Sequence, residues 1–252
     1  MKRILLFLFV LVTIQTSAQS LIGGNNIIKT NLSSDLLNNY NLTYERSLNH
    51  FMSVSLSYRT MPKSSLPFKS TISSYINNPD INLDDFKIGN TATTLEARFY
   101  LGLQKMSGFY IAPYFRMSKF DLSVPVNYKF TPALVNGLPN TIEKSAKAKL
   151  DGTISSNAMG AYFGVQYQIL TKVVLDFWIA GGSYGSATGV LKFDSPVALV
   201  PEAQTALKGE LDQTKIDPIK LKSTVNANGV ISDMTGPWAG FRGLGLTVGI
   251  RF

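Results

Sequence analysis

Cysteine is absent from the 252 residues. That excludes disulfides, a thiolate metal site, a cysteine nucleophile and a lipid-anchoring cysteine. Histidine occurs once, as His50, which removes the usual histidine-rich metal and acid–base constellations. Charge is scarce: 16% of residues are Asp, Glu, Lys or Arg, against about a quarter in soluble domains. No phosphate-cradling or dinucleotide-binding glycine signature is present. What the chain does have is 45% hydrophobic residues, too many for disorder. It also has 11% aromatics, 20 Gly and 11 Pro, a composition that leans towards strands and turns.

The first residues read as a targeting segment. Lys2 and Arg3 make a positive start, 4–14 is almost unbroken apolar sequence, and Thr16-Ser17-Ala18 supplies small residues for cleavage. The apolar run is shorter than the roughly 20 residues of a membrane span. The expectation is a signal peptide over 1–18, cleaved after Ala18, and an exported domain over 19–252. Without Lys2 and Arg3, 22 basic side chains face 16 acidic ones, a net charge of +6. Later in the chain the most apolar stretch, 173–182, carries Asp176 at its middle, so a helical span is not expected there.

The recurring pattern is alternation, the period of a strand. Met52, Val54, Leu56 and Tyr58 alternate with Ser53, Ser55, Ser57 and Arg59. The same rhythm appears at 28–32, 40–45, 95–101, 109–117, 160–169, 175–179 and 243–252. Connections alternate too. Those at 47–50, 104–107 and 170–172 are short, while 61–90, 129–156 and 194–237 are long and only 33–39 is brief among the second set. An all-β, eight-stranded antiparallel transmembrane β-barrel with long extracellular loops predicts both features. A lipocalin-type barrel would alternate with a charged exterior. Here the polar face is mostly Gly, Ser, Thr, Gln and Tyr, which suits a filled lumen.

Ile27-Ile28-Lys29-Thr30-Asn31-Leu32, followed by Asn41-Leu42-Thr43-Tyr44-Glu45-Arg46-Ser47, resembles the opening hairpin of small outer-membrane β-barrel proteins of Bacteroidota. Gly249-Ile250-Arg251-Phe252 resembles the terminal-aromatic signal read by the barrel assembly machinery, with Phe252 as its aromatic. The layout is similar to that of OmpA/OmpX-type barrels. The resemblance implies a bacterial outer-membrane location, a barrel fold and the assembly machinery as a partner. It says little about activity.

Eight charged residues share the inward parity: Lys29, Arg59, Arg98, Arg116 and Arg251 are basic, and Glu45, Glu96 and Asp176 are acidic. An eight-stranded barrel is only wide enough to be filled by side chains. Charges buried there must pair, because desolvation costs several kcal/mol each. They form either a satisfied polar plug or a salt-bridge gate in a narrow conduit. Catalysis has thin support. His50 falls in a predicted periplasmic turn, whereas barrel phospholipase, lipid A deacylase and palmitoyltransferase families place their histidine near the outer leaflet. Asp80, Asn82 and Asp84 have the spacing of a calcium loop, but Asp85 replaces its Gly and Thr91 its Glu. No metal or cofactor is expected, and an exported barrel meets no nucleic acid. Outer-membrane lipid and lipopolysaccharide are the expected partners of Lys63, Lys69, Lys119, Lys129, Lys144, Lys147, Lys149 and Arg242. Arg242 has the parity of Leu244 and is expected to face lipid near the outer rim.

Beyond Met117 the alternation continues with the opposite parity, through Phe120, Leu122, Val124, Val126, Tyr128 and Phe130, which predicts a β-bulge near Ser118-Lys119. Residues 119–152 read as a hairpin protruding past the membrane. Pro201, Ala203, Leu207 and Leu211 predict a short helix over 201–215, and Ile72, Tyr75 and Ile76 another. Three functions follow in order of preference. The first is a non-enzymatic barrel, structural or binding an extracellular protein or glycan through its loops. The second is a narrow pore for ions or small solutes. The third is a lipid or peptide hydrolase.

Overall fold

The computed structural model describes residues 24–65, 85–102, 104–135, 138–214 and 218–252. The leader, Lys69, the Asp80–Asp84 segment and the helix expected around Tyr75 lie outside the described residues. The elements in order are β1 (Asn26–Asn31), a one-turn α1 (Leu32–Asp35), β2 (Tyr40–Ser47), β3 (Met52–Ser65), β4 (Lys87–Tyr100), β5 (Gly108–Phe130), β6 (Leu134–Val135), β7 (Leu138–Pro139), β8 (Lys144–Gln168), β9 (Val173–Asp194), α2 (Pro201–Gln213), β10 (Lys220–Asn226), β11 (Gly229–Arg242) and β12 (Gly245–Arg251).

Ten of these strands form one antiparallel sheet in the order β10-β11-β9-β12-β1-β2-β3-β4-β5-β8. Pairing of β8 with β9 closes the sheet into a ring. Each of the eight alternating segments is a strand, and β10 and β11 add two more, β10 inside the expected 194–237 loop and β11 beginning in it and running on to Arg242. β11 and β12 lie end to end along β9: Arg242 opposes Gly181 and Gly245 opposes Trp178. The long loops are shorter than expected because the strands run on. β5 has 23 residues and β8 has 25. At about 3.4 Å per residue each is about 75–85 Å long.

The bulge expected at Ser118-Lys119 is absent. β5 keeps one register against β8 from Gly108↔Gln166 to Phe130↔Lys144, and against β4 throughout. Its even-numbered residues face inward along the whole strand. What changes is which face is apolar. Below Ser118 the inward residues are Tyr110, Ala112, Tyr114 and Arg116, and Phe109, Ile111, Phe115 and Met117 are exposed outside. Above it Leu122, Val126 and Tyr128 are buried inside, and Lys119 and Lys129 face out. β8 inverts at the same level: Met159 and Phe163 are exposed outside, whereas higher up Ala148, Leu150 and Ile154 are buried and Lys147 and Lys149 exposed. Register shifts lie elsewhere, in β9 opposite Phe163-Gly164 and in β3 between Met61 and Ser64.

The ring therefore has two zones. The lower wall is apolar outside and polar inside, and carries the short turns. The upper part is a sheet with an ordinary apolar core. That core holds Leu122, Val126, Leu150, Ile154, Leu191 and Met234. α2 completes it with Ala203, Leu207 and Leu211, at the four-residue spacing of one helix face. Pro201 starts the helix, where its missing N–H costs nothing. The tip of the β5–β8 hairpin extends past its neighbours, since β4 stops opposite Ser123 and β9 opposite Asp151.

Candidate functional site

Alternation places Lys29, Glu45, Glu96, Arg98, Gln166 and Asp176 on the inner face of the lower wall. They come from β1, β2, β4, β8 and β9 and meet in one network with no more than 2% exposure each. Lys29 Nζ donates to Glu45 Oε2 at 2.5 Å, Gln166 Oε1 at 2.8 Å and Asp176 Oδ2 at 2.9 Å. The Arg98 guanidinium spans the lumen: Nη1 donates to Asp176 Oδ2 at 2.6 Å, and Nη2 to Glu96 Oε2 at 3.0 Å and Tyr162 Oη at 2.8 Å.

Neutral donors fill the remaining lone pairs. Ser53 Oγ and Tyr100 Oη donate to Glu45 Oε1, Tyr110 Oη to Asp176 Oδ1, and Ser55 Oγ and Tyr162 Oη to Glu96 Oε2. Each carboxylate thus accepts at least three hydrogen bonds, the condition under which a buried ion network is tolerated. Two inward glycines make the room. A Cβ on Gly249 would lie 2.5 Å from Lys29 Cγ, and one on Gly164 would lie 2.3 Å from Tyr110 Oη.

Arg242 is a correction to the sequence reading. It points inward, where Nη1 donates to Glu96 Oε1 at 3.1 Å and its guanidinium lies 4.0 Å from the Trp178 ring and 4.3 Å from that of Tyr162. Parity counted back from Leu244 fails because the alternation slips by one at Gly243-Leu244, where β11 ends and β12 begins. Phe241 and Leu244 are the residues that face out, at 83% and 85% exposure. With Arg242 included, three cations face three carboxylates.

The other predicted charges lie away from this network. Arg251 is at the turn end, bonded to Gly24 O, Lys105 O and Gln168 Oε1. Arg59 and Arg116 stand above, bonded to Asn90 Oδ1 and Thr94 Oγ1. Phe252 pairs its backbone with Asn26. His50 lies in the β2–β3 turn. Several upper lysines are in surface ion pairs: Lys63 with Asp151, Lys129 with Glu143, Lys147 with Asp85, and Lys149 with Asp151. Gln166 and the three tyrosines carried no signal beyond inward parity, and Arg242 was masked by the phase slip.

A family model described as "Protein of unknown function (DUF3575)" matches residues 4–189, well over half of the sequence. The chain belongs to the DUF3575 family. The match covers every member of the network except Arg242, and ends within β9. No curated protein matches the sequence. A solved structure described as that of a Pseudomonas aeruginosa FadL homologue aligns at 10% identity over 85% of this chain and 78% of that one, with a TM-score of 0.28. A superposition that loose sets no constraint on this DUF3575 member.

Proposed function

We propose that this DUF3575 protein is an integral outer-membrane barrel of eight staves, closed by its ion network, that acts through its upper part and not by conduction or catalysis. β11 and β12 count as one interrupted stave, and β10 as an addition to the head. The observation that carries the reading is the inversion of polarity along continuous strands. Below Ser118 on β5 and Asn157 on β8 the exterior is a girdle of exposed Leu, Ile, Phe, Met and Tyr around buried charges. Water penalises such an exterior, and lipid does not. Above that level the pattern reverts to that of a protein in water. A lipid-facing band of about 25 Å is far shorter than β5 or β8, even at a tilt of about 45°, so the upper sheet stands outside the bilayer.

The proposed task follows from that division. The ion network of the lower zone balances three cations against three carboxylates and closes the lumen at its level. The head is large, ordered and solvent-facing, and beside α2 it has a cleft of about 350 Å³ lined by Phe130, Leu134, Val197 and Leu199. A surface of this kind suits recognition of an extracellular partner. Cell fractionation tests the location: the chain is expected in the outer membrane, resistant to extraction by alkaline carbonate, with heat-modifiable gel mobility. Recovery as a soluble periplasmic protein would overturn the reading.

A further inference from the structure

Above the turn end, where Arg251 is held by Gly24 O, Lys105 O and Gln168 Oε1, five inward-facing basic groups, Lys29, Arg59, Arg98, Arg116 and Arg242, share three carboxylates, Glu45, Glu96 and Asp176. The surplus of two positive charges falls on Arg59 and Arg116. Neither makes an ion pair among the described residues; each reaches only a neutral side chain, Asn90 or Thr94, at 2.9 Å. They stand on β3 and β5, on either side of β4, where Arg59 opposes the small Ala92 and Arg116 opposes Thr94. Arg242 closes the third side. Its guanidinium and that of Arg116 lie 5.1 Å and 5.4 Å from the same Tyr114 ring, and it is close enough to both arginines for their like charges to repel. Two buried donors here lack hydrogen-bond partners, Arg59 Nε and Trp178 Nε1.

Arg242 shares Glu96 with Arg98, but Arg59 and Arg116 have no carboxylate of their own, and two such buried guanidiniums converging on a third are costly unless an anion joins them. Guanidinium forks suit a tetrahedral oxyanion. We infer that Arg59, Arg116 and Arg242 form a binding site for a phosphate-class dianion, carried either by inorganic phosphate or by a lipid headgroup. The dianion cancels the surplus of two charges.

The wall offers a way in from the side. Among the described residues the outer edge of β11 and β12 has no strand partner between Thr235 and Thr247, because β10 stops opposite Thr235 and β1 opposite Thr247; α1 covers only its β12 end, where Leu246 N–H donates to Ser33 Oγ. Arg242 lies on that stretch, and Phe241 and Leu244 on the same stretch are exposed. An anionic headgroup could reach the arginines there while its chains stay with the apolar girdle.

The experiment uses the full chain in dodecyl maltoside. In one arm inorganic phosphate is titrated and followed by calorimetry. In the other, protein exposed to vesicles containing phosphatidic acid is re-extracted and its retained lipid measured by native mass spectrometry. The double variant Arg59→Gln/Arg116→Gln, checked for heat-modifiable mobility, is compared in both arms. Saturable phosphate binding that weakens at least about tenfold in the double variant, the worth of one charged hydrogen bond, supports the site with a free anion as ligand. Retained phosphatidic acid that falls in the variant, with no phosphate binding, supports a headgroup as ligand. No binding in either arm, or binding indifferent to the variant, overturns the site.

Should the double variant fail to fold, Arg116→Lys keeps the charge and removes the fork. It is expected to weaken phosphate or phosphatidic acid binding several-fold, and unchanged binding overturns the proposal. A second readout separates a site from mere packing. Phosphate should raise the unfolding temperature of the wild type and not that of the double variant, which without phosphate should be the more stable, having lost like-charge repulsion.

Discussion

Lys29 holds two carboxylates and the Gln166 amide with one ammonium group, so its loss leaves more unpaired charge than a single ion pair would. Lys29→Met keeps the apolar stem and strands Glu45 and Asp176 in a dry interior. Breaking a buried pair in this way costs about 3–5 kcal/mol, and urea unfolding of the detergent-solubilised protein should show a loss of that order; a loss under about 1 kcal/mol would contradict the network's structural weight. Gly249→Ala should also destabilise, because the added methyl overlaps Lys29 Cγ and Ile28 O. Parity in the sequence placed Lys29, Glu45, Glu96, Arg98 and Asp176 on one side of their strands, and the structure joins those five. It could not select partners. Lys29 and Asp176 are 147 positions apart, and what brings them together is the β1–β12 and β9–β12 pairing, a non-local choice. Arg242 escaped because a one-residue slip reverses the face of everything beyond it.

The strands beyond the lower ring and α2 form a second packing unit with different physics. Leu207 is fully buried against the inner face of the upper sheet. Leu207→Asp puts a charge into that core and should release α2, seen as protease cleavage within 195–228, while the lower ring keeps its heat-modifiable mobility. Loss of both together would mean that ring and head fold as one unit. Asp151 adds a small pH-dependent term. Burial raises its carboxyl, but the hydrogen bonds from Ser123 and Lys63 outweigh that and hold it below its ordinary value. Its contribution is therefore present above the ordinary aspartate range and lost as pH falls through and below it, and half exposure keeps it small. The apolar parity change at Ser118–Phe120 was visible in the sequence, but its reading as a bulge was wrong. A bulge keeps the apolar face pointing one way by inserting a residue. Here the backbone runs straight and the surroundings of the wall change. The strands β10 and β11 look like loop in the sequence because β11 mixes Gly, Pro, Ser and Asp with its apolar residues.

For the whole molecule the decisive property is whether the lumen passes ions. Arg98, Lys29, Glu45 and Asp176 are each at most 1% exposed, and the Arg98 guanidinium bridges Asp176 on one side to Glu96 on the other. An ion crossing this layer must break several charge-assisted bonds at once, each worth about 1.5–3 kcal/mol. Spontaneous opening should therefore be rare, and planar-bilayer recordings of the wild type should show a closed baseline with at most brief, small events. Stable nanosiemens channels would refute the closed lumen. Glu96→Ala tests the same point from the other side. It removes the carboxylate shared by Arg98 and Arg242 and leaves both guanidiniums beside Arg59 and Arg116, in a stretch whose surplus of positive charge rises by one. The two arginines should swing apart, so openings should become more frequent than in the wild type, and a lumen lined by surplus cations should prefer anions. An opening frequency equal to that of the wild type would mean that the tyrosine layer of Tyr100, Tyr110 and Tyr162, and not the ion network, seals the barrel.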